Sequence, residues 1–150
     1  MSNVAEKLNL KGDLKIVLTD KYGNVKDERD IKNLVVTTGL NFIVDRMAGT
    51  GSNIMSHMAV GTGSTAVAAG DTTLETELAR VALDSDNTST NTITYIATFP
   101  AGTGTGAITE AGVLNAASSG DLLSHTVFSV VNKAADDVMT INWTITLNAV

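Results

Sequence analysis

The chain has 150 residues, 43% of them apolar and only 17% charged, with a net charge of −6 and a pI near 4.7. That is length for one domain with a real core, and the acidic balance argues against nucleic-acid binding by phosphate neutralisation, since its lysines and arginines interleave with acids. The absence of cysteine removes disulfides, thiolate nucleophiles and Cys-ligated metals, and no apolar run approaches the ~18 residues of a membrane span.

Residues 1–13, MSNVAEKLNLKGD, lack the apolar core of a secretory signal and any periodicity. They read as an N-terminal arm, free or docked on a partner, ahead of a single β-rich domain over 14–150. LKIVLT (14–19) is the first strand, DKYGN a turn with Gly23-Asn24 at its tip, and 25–36 a second strand. Leu40, Ile43, Val44 and Met47 then fall at i, i+3, i+4 and i+7. That spacing predicts an amphipathic helix near 38–48, capped by Thr37 or Thr38, closed by Gly49 and packed by its apolar stripe on a sheet.

MSHMAV (55–60) reads as a short strand and GTGSTAVAAGD as a loop. TTLETEL reads as one or two helical turns capped by Asp71, ARVALD (79–84) as a strand and DSDNTST as a polar connector. In 91–99 and 138–147 apolar side chains alternate with hydroxyl or amide ones almost without error, Ile96 standing on the threonine face, which is the period of a half-buried strand. The second run sets Met139, Ile141, Trp143, Ile145 and Leu147 on one face, so Trp143 is expected in the core. GTGTG (102–106) reads as a flexible loop tip, and AITEAGVLNA, DLLSHTVFSVV and VMTINWTITL as antiparallel strands. The fold class expected is mainly β: an antiparallel β-sandwich or barrel, jelly-roll-like, with one short amphipathic helix.

Candidate chemistry is sparse. Gly61-Thr62-Gly63-Ser64-Thr65-Ala66 fits GxGxxA, but a dinucleotide loop needs a βαβ unit that does not follow. His57 and His125 lack metal-ligand spacing and read as satisfied or surface histidines. Asp84, Asp86 and Asn87 lack the central Gly and closing Glu of a calcium loop. Glu110 stands alone in AITEAGVLN, with Arg80 or solvent as its expected neighbour. No catalytic residue, metal ligand or cofactor is expected, and the chain is read as a non-enzyme.

The segments MAVGTGSTAVAAGDTTLETELARVAL, NTITYIATFPAGTGTGAITEAGVLNA and LLSHTVFSVVNKAADDVMTINWTITL follow one another in an order that resembles small structural proteins of tailed bacteriophages. The likeness lies in an AxGTG turn, a DTxLxxEL segment, an ITExG strand and a closing strand after a Lys–Asp turn, and it extends over about 14–147. It implies a structural component of the virion, made in the host cytoplasm, and does not by itself separate head from tail; the small, free-standing size, without coiled coil or β-helix repeat, favours a capsid decoration (cement) protein that binds the outside of the head and stabilises the shell. Tail, collar, fibre or baseplate proteins are the alternative, and a carbohydrate-binding β-domain a remoter one. The implied partners are the major capsid protein and the chain itself, as a trimer before a dimer, with no nucleic acid or membrane. The segments without a core pattern supply the expected contact residues: Val4, Leu8 and Leu10 in the arm, and Gly61, Thr62, Gly63, Gly102, Gly104 and Gly106 in the loops.

Overall fold

The alternation seen in the sequence becomes nine antiparallel strands in a computed structural model that describes residues 8–51 and 53–149. The strands are β1 (Leu8–Thr19), β2 (Val25–Val35), β3 (His57–Gly61), β4 (Glu77–Ala82), β5 (Ser85–Ser89), β6 (Thr92–Phe99), β7 (Gly106–Leu114), β8 (Leu122–Lys133) and β9 (Val138–Ala149), with helix α1 (Thr37–Met47). They form one curled sheet in the order β4-β3-β7-β8-β2-β1-β9-β6-β5. The fold is mainly β, an antiparallel barrel-like or sandwich-like sheet with one short helix.

Register places the core. Leu14 pairs with Trp143 and Trp143 with Tyr95; the next level is Ile16, Ile141 and Ala97, and the next Leu18, Met139 and Phe99. These residues are all buried and meet Met58, Val60, Ile108, Val113, Leu123 and Val131 from the other half of the sheet. The corner lies at β2, which leaves β1 after Asn33 and pairs with β8 only through Leu34 and Val35. Arg29 spans the gap below, donating to the Ser129 and Val130 carbonyls at 3.2 and 3.0 Å. Opposite, the Asp84 amide donates to Ile96 O at 2.7 Å, which ties the end of β4 to β6.

Several expectations are corrected. Residues 8–13 are not arm: they belong to β1, with Leu8 to Gly12 paired to β9 from Ala149 to Ile145. Residues 1–7 lie outside the described residues. The polar connector contains β5, which forms a hairpin with β6 through Thr90-Asn91; Thr90 takes φ 55°, and the Asn91 side chain donates to Leu147 O. TTLETEL makes no helix; its last two residues open β4. The α1 cap is Val36, with no side-chain cap hydrogen bond. Thr37 instead gives its amide to Ala69 O at 2.8 Å, and Thr38 its hydroxyl to Leu122 O at 2.7 Å. Gly49, at φ +67°, does follow the helix end.

The helix stripe is split. Phe42 and Ile43 pack on the core, while Leu40, Val44 and Met47 are 41%, 63% and 84% exposed. Gly39 sits against the Leu123 carbonyl, where no Cβ fits, and this close approach pulls that side of the helix inward. The GTGTG loop is not a free tip either. Gly104 is buried against Val60, Ala79 and Phe99, the Gly102 amide donates to Ala135 O, and the buried Lys133 ammonium donates to Pro100 O at 3.0 Å.

Candidate functional site

On β3 and β7, Met58, Val60, Ala111 and Val113 point into the core, so Ala59 and Gly112 between them point outward. That outer face is covered by residues 62–76, a strap without helix or strand of its own. Leu74 from the strap joins Val36, Ala59, Leu114 and Leu122 in a second, smaller core. The face is paved with small residues because the strap lies close. A Cβ on Gly112 would come within 2.6 Å of Leu74 Cδ1, and one on Gly63 would meet the Glu110 carboxylate.

Glu110 is the anchor of the strap, and its side chain is fully buried. Oε2 accepts the amides of Gly63 (2.8 Å) and Thr76 (2.7 Å); Oε1 accepts the Glu75 amide (2.8 Å) and lies 2.9 Å from His125 Nε2. Four partners fill the capacity of a carboxylate. Burial pushes the Glu110 carboxyl upward, but the Thr76 and Glu75 amides, His125 and the Gly63 amide outweigh it and hold the group below its ordinary value. Thr109, the preceding residue, donates its hydroxyl to Gly63 O at 2.6 Å. In an unbroken strand consecutive side chains face opposite ways; here the β7–β8 register shifts between Ile108 and Glu110, and Thr109 and Glu110 both reach the strap.

His125 on β8 is itself buried, with Nδ1 2.8 Å from Asp71 Oδ2. Asp71 also accepts the Ala68 amide at 3.0 Å. Burial pushes the Asp71 carboxyl up, and the Ala68 amide and His125 more than reverse this, leaving it below its usual value. Above this cluster lies an open polar cleft of about 510 Å³, lined by Thr65, Asp71, Thr72, Thr73, Glu75 and His125 among others. Both imidazole nitrogens face carboxylates, so neither is turned to the cleft as a base or a ligand. The two carboxylates meet different nitrogens of the ring; among the described residues no group of three or more His, Asp or Glu is arranged to hold a metal ion.

These positions correct the reading of Glu110. Its partner is His125 and the strap, neither Arg80 nor solvent; Arg80 is held by Glu77 at 2.6 Å and by the Ala116 and Ser119 carbonyls. The Gly61–Ala66 segment is the entrance to the strap and is followed by no helix. His57 meets the Ser56 hydroxyl at 2.8 Å.

The expected contact residues are not gathered on one face. Val4 lies outside the described residues, and the backbone of Leu8 and Leu10 pairs with Ala149 and Leu147 at the end of β1. Gly61 is buried beneath the strap and Gly63 is buried within it, with Thr62 exposed between them. Gly102 is exposed, Gly104 is buried beside Phe99 and Gly106 opens β7. Phe99 and Leu147 belong to opposite ends of the β6–β9 ladder, so the arm and the glycine loops are at opposite ends of the sheet. An exposed apolar line lies outside those expected contacts: Leu40, Val44 and Met47 on α1. Beside the helix, Phe42, Ile54, Met55, Ile93 and Tyr95 line a recess of about 220 Å³ with Arg46 and Asp86.

No family model, curated protein or solved structure matches the chain.

Proposed function

We propose that the chain is a bacteriophage virion subunit, a capsid decoration protein that binds the outside of the head and stabilises the shell. The observation that carries the reading is the saturation of Glu110 and His125. Glu110 and His125 are consumed in holding a strap, and what the fold leaves outside is surface. That surface includes the apolar line Leu40, Val44 and Met47 and the threonine rows of β6 and β9, where Thr94 and Thr144 share a hydrogen bond at 2.9 Å. Hydroxyl-bearing sheet faces pack at interfaces with little of the desolvation cost of charges. The order of sequence motifs, similar to that of small virion proteins, supports the same reading.

The partners are the major capsid protein and further copies of the chain, a trimer at a three-fold position before a dimer at a two-fold. The carbohydrate-binding alternative is weakened by burial of its aromatics: Trp143 and Tyr95 are 0% and 5% exposed, which leaves Tyr22 as the one exposed Trp or Tyr ring. The test is co-sedimentation with undecorated capsids, beside light scattering for the oligomer. Binding with a raised shell dissociation temperature supports the reading. No binding, or immunogold label on tails alone, moves the assignment to a tail, collar, fibre or baseplate subunit.

A further inference from the structure

A neutral imidazole carries one N–H and an imidazolium two. His125 presents Nδ1 to Asp71 Oδ2 at 2.8 Å and Nε2 to Glu110 Oε1 at 2.9 Å, and both oxygens belong to carboxylates. The two contacts are both hydrogen bonds only with the doubly protonated ring. With one N–H, a nitrogen lone pair faces a carboxylate at hydrogen-bond distance. The two sides are unequal. Glu110 is sealed from water and its charge has no other way to be satisfied, whereas the Asp71 side chain is 26% exposed and borders the cleft. The Asp71 contact is therefore the one that yields.

We propose that the strap is a proton-operated latch, closed on the His125 imidazolium and released over residues 64–73 when Nδ1 gives its proton to water. The Nδ1–H bond breaks, its electron pair stays on nitrogen, and Nε2–H keeps its bond to Glu110. Glu110 continues to hold Gly63, Glu75 and Thr76, so the strap opens at its middle and remains tethered at both ends. The charged groups facing the ring are Asp71 and Glu75 from the strap and Glu110 from β7. Its cross-strand neighbours, Gly112 on β7 and Leu34 on β2, carry no charge, and α1 meets the strap through the Thr37 amide. Opening widens the cleft and bares the Asp71 carboxylate; the inference is independent of any role in a virion.

Two measurements on the intact chain test it. Long-range ¹H–¹⁵N spectra report both ring nitrogens of His125, assigned against a His57→Gln variant. Hydrogen exchange, corrected for the intrinsic effect of pH, reports residues 64–73 separately from 74–82. The expected result is two protonated nitrogens at acid pH, then loss of the Nδ1 proton alone on raising pH, with a fall of about tenfold or more in protection over 64–73 and none at Glu75 and Thr76. Asp71→Asn is expected to exchange fast over 64–73 at every pH. An Nδ1 that is unprotonated throughout the folded range overturns the proposal. So does strap protection that ignores the ring titration, or that survives Asp71→Asn.

Discussion

Gly61 stands across the β3–β7 ladder from Glu110, and a Cβ built on it would run into the Thr76 carbonyl oxygen. The obstacle is backbone, held in place by the Thr62 amide on that same oxygen at 3.0 Å and by the Thr76 amide on Glu110, so it cannot swing away as a side chain would. Gly61→Ala should lower stability by about 1–3 kcal/mol, the usual cost of overpacking. Gly70→Ala, where an added Cβ meets nothing within 4 Å, should change it by no more than about 0.5 kcal/mol. Urea unfolding of the pair measures the difference; equal effects would mean that the strap does not lie this close.

Glu110→Gln keeps the size of the side chain and removes its charge. An amide has one oxygen, so two of the four groups around it, amides or imidazole, are left facing an NH₂ group. The expected loss is about 3 kcal/mol, as for breaking a buried charged pair. Thr109→Val removes a single neutral hydrogen bond to Gly63 and should cost about 1 kcal/mol. If Glu110→Gln cost no more than Thr109→Val, the carboxylate would not be the anchor.

Acid should unfold the protein through identifiable carboxylates. Asp13, Asp20, Asp71, Glu110 and Asp137 are all held below their ordinary values: Asp13 chiefly by Lys32, Asp20 by the Asn24 amide, Asp137 by Lys26 at 2.6 Å. A depressed carboxyl contributes stability that is fully present above its unfolded value and is lost as pH falls through the folded one. The melting temperature should thus fall steeply as pH drops below the normal carboxylate range, with a shallower fall in Glu110→Gln. At the other extreme, burial, with a contribution from Asp86, pushes the Tyr95 phenol up to about 12. Its raised value contributes stability below pH ~10 that is lost between there and the folded value. Ultraviolet titration should find the Tyr95 phenolate only near that upper limit.

The alternating strands were legible because period 2 is local: 92–99 and 138–147 need no partner to be read. Trp143 was placed in the core for that reason. The strap was not legible, because what holds it is distant in sequence. The Gly61–Gly63 turn, the Asp71–Leu78 segment and Thr109–Glu110 were visible only as separate short motifs. They meet because Glu110 gathers amides 34 and 47 residues away. The lone acid in an apolar strand was a signal in itself, since a buried charge demands partners. TTLETEL carries a helix-like pattern, but burial of Leu74 and the two bonds from the Glu75 and Thr76 amides to Glu110 hold that stretch out of a helix. The polar strand β5 has no apolar face to reveal it and is defined by pairing with β6 alone.

Trp143 carries no exposed surface, and its Nε1–H is buried without a hydrogen-bond partner. Trp143→Ala should cost about 3–5 kcal/mol. Trp143→Phe should cost clearly less than Trp143→Ala, because it leaves a smaller void and removes a donor that has no acceptor. Native emission should be blue-shifted and move to the wavelength of free indole on unfolding. Emission already at that wavelength in the folded protein would place the ring in water.

The exposed line on α1 separates a stability role from a binding role. Val44 and Met47 lie on the solvent side of a helix whose inner face is held by Gly39, Phe42 and Ile43, so little packing is lost when they become polar. Val44→Gln with Met47→Gln should change stability by about 0.5 kcal/mol or less. Apolar anchors at an interface behave differently, since truncating a few of them removes most of the binding energy. If α1 is part of the capsid contact, the double variant should fold normally and lose about tenfold or more in capsid co-sedimentation, which is a change of about 1.4 kcal/mol. Deletion of residues 1–12 is the contrasting variant. It strips Leu8 to Gly12 from β1 and their pairing with β9, so it should lower stability whether or not capsids are bound. Full capsid binding by the folded Val44→Gln, Met47→Gln protein would remove α1 from the contact and direct attention to the threonine rows of β6 and β9.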